Sequence, residues 1–284
     1  MTRTTRFAPS PTGPLHLGHA YAAMVAADMA AGGRFLLRIE DIDQGRSRAQ
    51  WEAQIYEDLA WLGLQWETPV WRQSDHMDLY AQALDDLWDQ GLLYPCTCNR
   101  RDIQEAASAP QEGGAAQYGP DGLIYPGTCR HAPRPGARPT DMALRLDLEK
   151  ALDIKSIRFT ETGAGPDGQT GEITVARDTL IRNVGDVVLA RRDMGTSYHL
   201  SVVVDDAAQG ITHVTRGADL FEATQIHVVL QRLLGLETPI YHHHRLIRDT
   251  QGKRLAKRDD ARAIAKYRAD GKTPADIRRR VGLS

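Results

Sequence analysis

Three segments within the first forty residues leave few folds open. Thr4 to Ala8 has the length and composition of a short strand, and His19 to Ala31 is a helical run of mostly small residues. GRFLLRIED, Gly33 to Asp41, puts Leu36, Leu37 and Ile39 behind the turn residues Gly32 and Gly33. Two strands joined through a helix pair in parallel, because that pairing needs a crossover rather than a hairpin. The order therefore predicts an α/β chain built on a doubly wound parallel sheet.

The rest of the chain extends this pattern. Ser47 is expected to cap a helix running to about Leu62, with Trp51, Ile55 and Leu59 on one face, and Ser74 to begin another ending near Gly91. From Cys96 to Pro139 the composition turns to Gly, Pro, Ala and polar residues with little periodicity, which predicts an inserted, loop-rich segment. Beyond Ala143, the runs LRLDL, DVVLARRD and LSVVVDD are expected strands. Glu222 to Gly235 is an expected helix, Pro239 to Ile247 a further strand, and about Asp260 to Arg280 a single basic helix.

At 284 residues and 42% hydrophobic content the chain can bury a substantial core. No apolar run approaches the ~20 residues of a membrane span, and the N-terminus lacks the apolar centre of a signal peptide. A cytoplasmic protein with no membrane partner is the expectation, and a monomer. The three cysteines are an odd number and two are nearly adjacent, which points to reduced thiols or metal ligation rather than a disulfide framework. The net charge of -2 hides a stretch rich in Arg and Lys, Arg245 to Arg280, so a polyanion could bind one face.

The loop between the first strand and helix, PSPTGPLHLGH, carries the clearest chemistry. Pro9, Pro11 and Pro14 stiffen it, Gly13 and Gly18 let backbone approach a ligand, and the following helix aims its unpaired amides back at the loop. Amides and helix dipole both favour an anion there, phosphate above all. His16 and His19 stand three apart, so both side chains could reach one triphosphate and donate to its oxygens. The plainer alternative is that they cap the helix or pack.

PLHLGH, Pro14 to His19, resembles the HIGH signature of class I aminoacyl-tRNA synthetases. The flanks RFAPSPTG and RIEDID resemble those of glutamyl-tRNA synthetases. The likeness continues through SYHLSVVVDDAAQGITHVTRGADL, Ser197 to Leu220, to a KMSKS-like element at RLAKR, Arg254 to Arg258, and so covers nearly the whole chain. With no anticodon-binding domain expected after that element, and with CTC at Cys96 to Cys98 and YPGTC at Tyr125 to Cys129, the sequence is most similar to the glutamyl-Q tRNA(Asp) synthetase family. The resemblance implies a Rossmann-like catalytic domain whose first half spans 1–95. A cysteine-bearing insertion would follow at 96–142, the remaining core with an acceptor-like insertion at 143–248, and the KMSKS-like loop with a basic helix at 249–284.

It also implies an activity. L-Glutamate would be activated with ATP and Mg²⁺ without tRNA, then transferred to the queuosine base of tRNA(Asp). Charging of a tRNA 3′ end, or binding without catalysis, are the alternatives. By resemblance His16, Gly18, His19, Arg254 and Lys257 hold ATP, with His16, His19 and Lys257 catalytic and Gly252 a hinge. Arg6, Ala8, Ser10, Glu40, Tyr198 and Arg216 hold glutamate. The KMSKS-like element departs from the pattern, with Arg254 for its first lysine and Ala256 for its serine. Cys96, Cys98 and Cys129 offer three soft ligands for one structural zinc. Tyr125 matches the family's phenolic fourth ligand, and His131 is the chemically more ordinary choice. Reduced cysteines without metal are the other reading.

Overall fold

Residues 2–108, 117–248 and 262–283 are described by the computed structural model. β1 (Thr4–Phe7) leads through α1 (Leu17–Ala30) to β2 (Arg34–Ile39), and the two strands pair in parallel with Arg6 opposite Leu36. After α2 (Ala49–Trp61), β3 (Glu67–Arg72) joins β2 in parallel, and a 3₁₀ turn at Gln73–His76 opens α3 (Met77–Asp89). Next come β4 (Leu93–Cys96), α4 (Arg100–Ser108), a short hairpin of β5 (Tyr118–Gly119) and β6 (Gly122–Leu123), and β7 (Ala143–Leu146). α5 (Leu148–Ala151), β8 (Ser156–Glu161), β9 (Gly171–Ala176), α6 (Arg177–Asn183), β10 (Val188–Ala190) and α7 (Tyr198–Ala208) follow. β11 (His213–Gly217), α8 (Thr224–Leu233), β12 (Ile240–His244), α9 (Ile264–Ala269) and α10 (Pro274–Arg280) complete the described elements.

One sheet runs β1-β2-β3 and a second runs β11-β12-β8-β9, parallel except where β9 turns back on β8. They meet where the Thr4 amide donates to Thr212 Oγ1 at 2.9 Å and the Thr212 amide donates to the Thr4 carbonyl at 3.0 Å. Strand order thus spreads outward in both directions from the β1/β11 seam. In open α/β sheets that seam is where ligands bind, beyond the strands' carboxyl ends. β4, β7 and β10 form a separate antiparallel sheet beside the insertion.

Two apolar clusters cover the sheets. α1, β1, β2 and α2 share one with Ile264, Tyr267, Ile277 and Val281 of the last two helices. α3, α7, α8 and β7 share the other. Among the described residues no helix is long and apolar enough to cross a membrane.

Several local expectations fail for identifiable reasons. LSVVVDD is not a strand but most of α7. Ser197 caps that helix by accepting from the Leu200 amide, and tertiary burial of His199, Leu200, Val202, Val203 and Asp206 overrides the β-branched run. α2 starts after Arg48, which makes no side-chain cap, and the Ser47 hydroxyl donates instead to the Asp43 carbonyl at 2.9 Å. Ser74 precedes α3 within the 3₁₀ turn and is held by Asp41, which accepts from its amide at 2.9 Å and its hydroxyl at 2.6 Å. The C-terminal basic helix is two helices, because Gly271 adopts a left-handed φ of 71° and Thr273 starts α10 with a capping box to Asp276. The loop-rich segment holds α4 and the β5–β6 hairpin.

α7 is tied to the sheet by charge. Asp206 accepts from Arg6 Nε at 2.9 Å and from Arg38 Nη1 at 2.7 Å, joining β1 and β2 to the helix. Beside it the fully buried Asp205 accepts from Trp71 Nε1 at 3.0 Å, Gln73 Nε2 at 2.8 Å and the Tyr80 hydroxyl at 2.7 Å. Burial would raise the titration of Asp206, but Arg6 and Arg38 outweigh it and hold the carboxyl below its ordinary 3.8. A carboxylate depressed in the fold contributes stability that is present above its unfolded pKa and is lost as pH falls through the folded value. Asp206→Asn should therefore cost about 3 kcal/mol at neutral pH, since it leaves two buried guanidinium groups short of an anion. The variant should approach wild type as the pH falls through the depressed folded value, where wild-type Asp206 also becomes neutral. Urea unfolding across this range checks both, and an equal deficit at every pH would refute the ion-pair account.

Candidate active site

His16 and His19 close the start of α1 on each other. His16 is the N-cap, and its Nδ1 accepts from the Gly18 amide at 3.1 Å, while His19 Nδ1 accepts from the His16 amide at 3.1 Å. Both rings thus spend Nδ1 as an acceptor, which fixes the neutral proton on Nε2, the edge that can donate to an anion. Their centroids lie 3.8 Å apart. Capping and phosphate binding are therefore compatible uses of the same two rings. A side chain at Gly18 would press to 3.0 Å from the His16 ring, so glycine lets that ring lie against the helix start.

The loop is braced from both sides. The Glu40 amide donates to the Pro9 carbonyl at 3.1 Å and the Arg48 amide to the Pro11 carbonyl at 3.0 Å. His16 also forms a β-bridge with Ala263, and the Ile264 amide donates to the Leu15 carbonyl at 2.8 Å. Gly252, Arg254, Ala256 and Lys257 lie outside the described residues.

The residues expected to hold glutamate gather at the β1/β11 seam. A cavity of about 200 Å³ is lined by Ser10, Glu40, Gln73, Arg191, Met194 and Tyr198, among others. It is smaller than the pockets typical for drug-sized ligands and suits a single amino acid. A cavity of about 520 Å³ next to it shares Ile42, Asp43 and Met194. Ala8 is half-buried and leads into Ser10.

Arg6 and Arg216 do not line the small cavity. Both are buried, and their charges act with that of Glu40 on the Tyr198 hydroxyl, whose titration burial pushes upward. Arg6 Nη1 donates to the Thr215 carbonyl at 3.2 Å, next to Arg216 in sequence. Glu40 accepts from Arg38 Nη2 at 3.3 Å. Burial raises the Glu40 carboxyl above its ordinary value, opposed by Arg38 and Arg6. Arg216 donates through Nε to His243 Nε2 at 3.1 Å, through Nη1 to His227 Nδ1 at 2.9 Å and through Nη2 to Thr224 Oγ1 at 2.6 Å.

Sequence reasoning missed the groups that hold these residues: Asp206 on Arg6, Arg38 on Glu40 with Asp205 behind it, and His227 and His243 on Arg216. The adjacent Asp205 and Asp206 would have shown themselves as buried counter-ions only had the segment been read as a helix.

The cysteines converge with Tyr125. The three Sγ atoms lie within 4.8 Å of one another and could hold a metal ion. The Tyr125 hydroxyl lies 3.5 Å from Cys96 Sγ and 3.4 Å from Cys98 Sγ, and accepts from the Cys129 amide at 2.8 Å. Burial pushes the Cys98 thiol up to about 11. At Cys129 hydrogen bonds from Tyr125 and Thr97 outweigh burial and bring the thiol to about 6. The Arg145 guanidinium stacks 3.8 Å over the Tyr125 ring and its Nε donates to Cys96 Sγ at 3.3 Å, which places a cation beside the thiols. His131 is exposed and is not part of the cluster.

Comparison with known proteins places the chain in a family. A family model for the catalytic domain of class I tRNA synthetases (E and Q) matches residues 3–284. The chain is 65% identical over 283 residues to the glutamyl-Q tRNA(Asp) synthetase of Rhodobacter capsulatus, covering 98% of this chain and 99% of that one. It is 41% identical over 283 residues to the protein of that name from Deinococcus radiodurans, covering 98% and 87%. A glutamate tRNA ligase of Elizabethkingia meningosepticum, solved with its amino acid, superposes with a TM-score of 0.70 at 27% identity, covering 91% of this chain and 52% of that one. The chain thus spans about half the length of that ligase. Methionyl-tRNA synthetase of Mycobacterium tuberculosis, at 13% identity and a TM-score of 0.61, shares the fold. The chain belongs to the class I tRNA synthetases of the glutamate and glutamine branch, within the glutamyl-Q tRNA(Asp) synthetase family.

Proposed function

We propose that this protein activates L-glutamate with ATP and Mg²⁺, without needing tRNA, and passes the glutamyl group to the queuosine base in the anticodon of tRNA(Asp). The observation that carries the reading is the match, nearly end to end, to relatives named for that reaction. In the first step an oxygen of glutamate's α-carboxylate attacks the α-phosphorus of ATP, the bond to pyrophosphate breaks, and glutamyl-adenylate forms. A queuosine hydroxyl then attacks the acyl carbon and AMP leaves.

No protein nucleophile is needed, so catalysis is positioning and charge stabilisation. His16 and His19 donate from Nε2 to the triphosphate as charge moves onto the leaving group. Gly18 admits it to the helix start, and Lys257 with Arg254 closes from the other side. Arg6 and Arg216 supply cations for the two carboxylates of glutamate, Glu40 faces its ammonium, and Ala8, Ser10 and Tyr198 complete the walls. Arginine suits this task because its fork matches a carboxylate.

We also propose that residues 96–142 carry one structural zinc on Cys96, Cys98, Cys129 and Tyr125. A tetrahedral zinc with Zn–S of about 2.3 Å and Zn–O of about 2.0 Å sets S···O edges of roughly 3.5 Å and S···S edges of roughly 3.8 Å. The Tyr125 hydroxyl stands at 3.5 and 3.4 Å from two of the sulfurs, and Cys98 and Cys129 are 3.5 Å apart, which favours the phenol over His131.

Four measurements test these readings. Labelled glutamate should appear on queuosine-containing tRNA(Asp), on the queuosine nucleoside after digestion, and not on tRNA(Asp) lacking queuosine or on tRNA(Glu); label on a 3′-terminal adenosine would make the enzyme an ordinary charging synthetase. His19→Asn should lower ATP–pyrophosphate exchange with glutamate by about a hundredfold, the scale of losing one donor to developing charge. Purified protein should carry one zinc per chain by elemental analysis. Tyr125→Phe should weaken zinc retention against a chelator by at least about tenfold, whereas His131→Ala should leave it unchanged.

A further inference from the structure

Arg216 is the start of two directed chains of hydrogen bonds, and one of them leaves the site. Its Nη1 donates to His227 Nδ1 at 2.9 Å, which places the His227 proton on Nε2. His227 Nε2 faces His199 Nδ1 at 3.1 Å, so the His199 proton lies on Nε2 in turn, and that atom is 3.2 Å from Asp121 Oδ1. The other chain runs through His243 Nε2 at 3.1 Å and ends on Glu161, which accepts from His243 Nδ1 and from the His243 amide. Every link has one donor and one acceptor, and both chains end on a carboxylate.

Asp121 lies outside the sheets, at the turn of the β5–β6 hairpin, four residues before Tyr125 of the cysteine cluster. The hairpin is set closely against α6: a Cβ on Gly119 would stand 2.1 Å from the Asn183 carbonyl oxygen. His199 and His227 are buried on α7 and α8, with the Tyr198 ring 5.4 and 5.9 Å from theirs. Burial, then the neighbouring Arg216 charge, pushes His227 well below its ordinary value, as a ring that accepts from a guanidinium requires.

We propose that Asp121, His199 and His227 are positioning residues that hold the Arg216 guanidinium in register for a substrate carboxylate, so that the hairpin of the cysteine segment sets the affinity of the site for glutamate. The three bonds to His243, His227 and Thr224 use one hydrogen on each nitrogen of Arg216. The second hydrogen on each terminal nitrogen is left for the two oxygens of a carboxylate. Rotation of the side chain would lose that alignment, and the relay opposes rotation.

The inference rests on Arg216 meeting glutamate, and the experiment separates the two ideas. In ATP–pyrophosphate exchange, Asp121→Ala should raise the KM for glutamate about threefold to tenfold, the scale of one hydrogen bond in a charged network. The KM for ATP and kcat should stay within about twofold of wild type. Asp121→Asn, which keeps an acceptor, should return most of the affinity, and Gly119→Ala, which displaces the hairpin without touching the chain, should reproduce the loss. An unchanged KM for glutamate in both Asp121→Ala and Gly119→Ala, or an equal rise for glutamate and ATP, would overturn the relay. If Arg216→Lys raises the glutamate KM while those variants do not, the pocket reading stands and the relay falls; if Arg216→Lys changes nothing, both fall. Long-range ¹⁵N–¹H spectra of the wild-type protein give a readout independent of activity. His199 and His227 should be neutral with the proton on Nε2, and a proton on Nδ1 of either overturns the proposal.

Discussion

The pair of carboxylates at Asp205 and Asp206 determines what the remainder of the site can be. Three elements must meet for the seam between β1 and β11 to hold a charged ligand: the strands that carry Arg6 and Arg38, and the helix that covers them. Two guanidinium groups in so dry a place would repel each other and the fold. Asp206 neutralises both, its Oδ1 accepting from Arg6 Nε and from Arg38 Nη1 and its Oδ2 from Arg6 Nη2, and Asp205 stands 3.6 Å from Arg38 Nε while its other bonds go to neutral donors. Such a buried network is weak as a source of net stability, because desolvation of the ions offsets their attraction. Its value is positional, since each oxygen permits only a narrow range of guanidinium orientations.

That rigidity explains why Glu40 can be a binding group rather than another counter-ion. Its bond to Arg38 is the longest of those Arg38 makes to carboxylates within hydrogen-bonding distance, 3.3 Å against 2.7 Å for Asp206. Arg38 is committed to α7, and Glu40 keeps a face on the cavity. Burial raises its carboxyl, so an ammonium bound there, as proposed above, would stabilise the ionised form and couple its binding to that ionisation. The same logic holds for Arg216, whose polar neighbours are neutral imidazoles and a hydroxyl rather than carboxylates. A carboxylate in direct contact would compete with the substrate; a histidine relays the counter-charge from further off.

The parallel framework and the anion loop were legible in the sequence because both are local. Arg6 to Ile39 contains its own strand, loop, helix and strand, and the Pro and Gly positions leave the backbone few alternatives. The cysteine cluster was legible for the same reason, as CTC and YPGTC keep their ligands in short runs that need only one closure across the insertion. α7 was not. Val202, Val203 and Val204 favour a strand by propensity, and what makes them helical is contact with α3 and α8, information that lies more than a hundred residues upstream and some twenty downstream. The alternation of Ile157 and Phe159 in β8 was present, with burial alternating as a one-sided strand requires, but the run is short. The counter-ions and the histidine relay were invisible for a related reason: Asp206, His227 and Asp121 become meaningful only once the elements carrying them are packed together.

The site's net charge follows from this packing. At the seam Arg6, Arg38 and Arg216 stand with Glu40, Asp205 and Asp206, while the cavity wall adds Arg46, Arg191 and Asp43. Glutamate brings two carboxylates and one ammonium, and a site that holds cations and anions apart can pair all three without accumulating charge of one sign. A pocket made by arginines alone would attract any anion, phosphate included, and would place the amino-acid site in competition with the helix N-terminus at His16. Carboxylates such as those on α7 weaken such a field at long range while leaving directional donors at short range. Discrimination between the two halves of the site then depends on donor geometry, and that geometry is set by residues that need not touch the substrate.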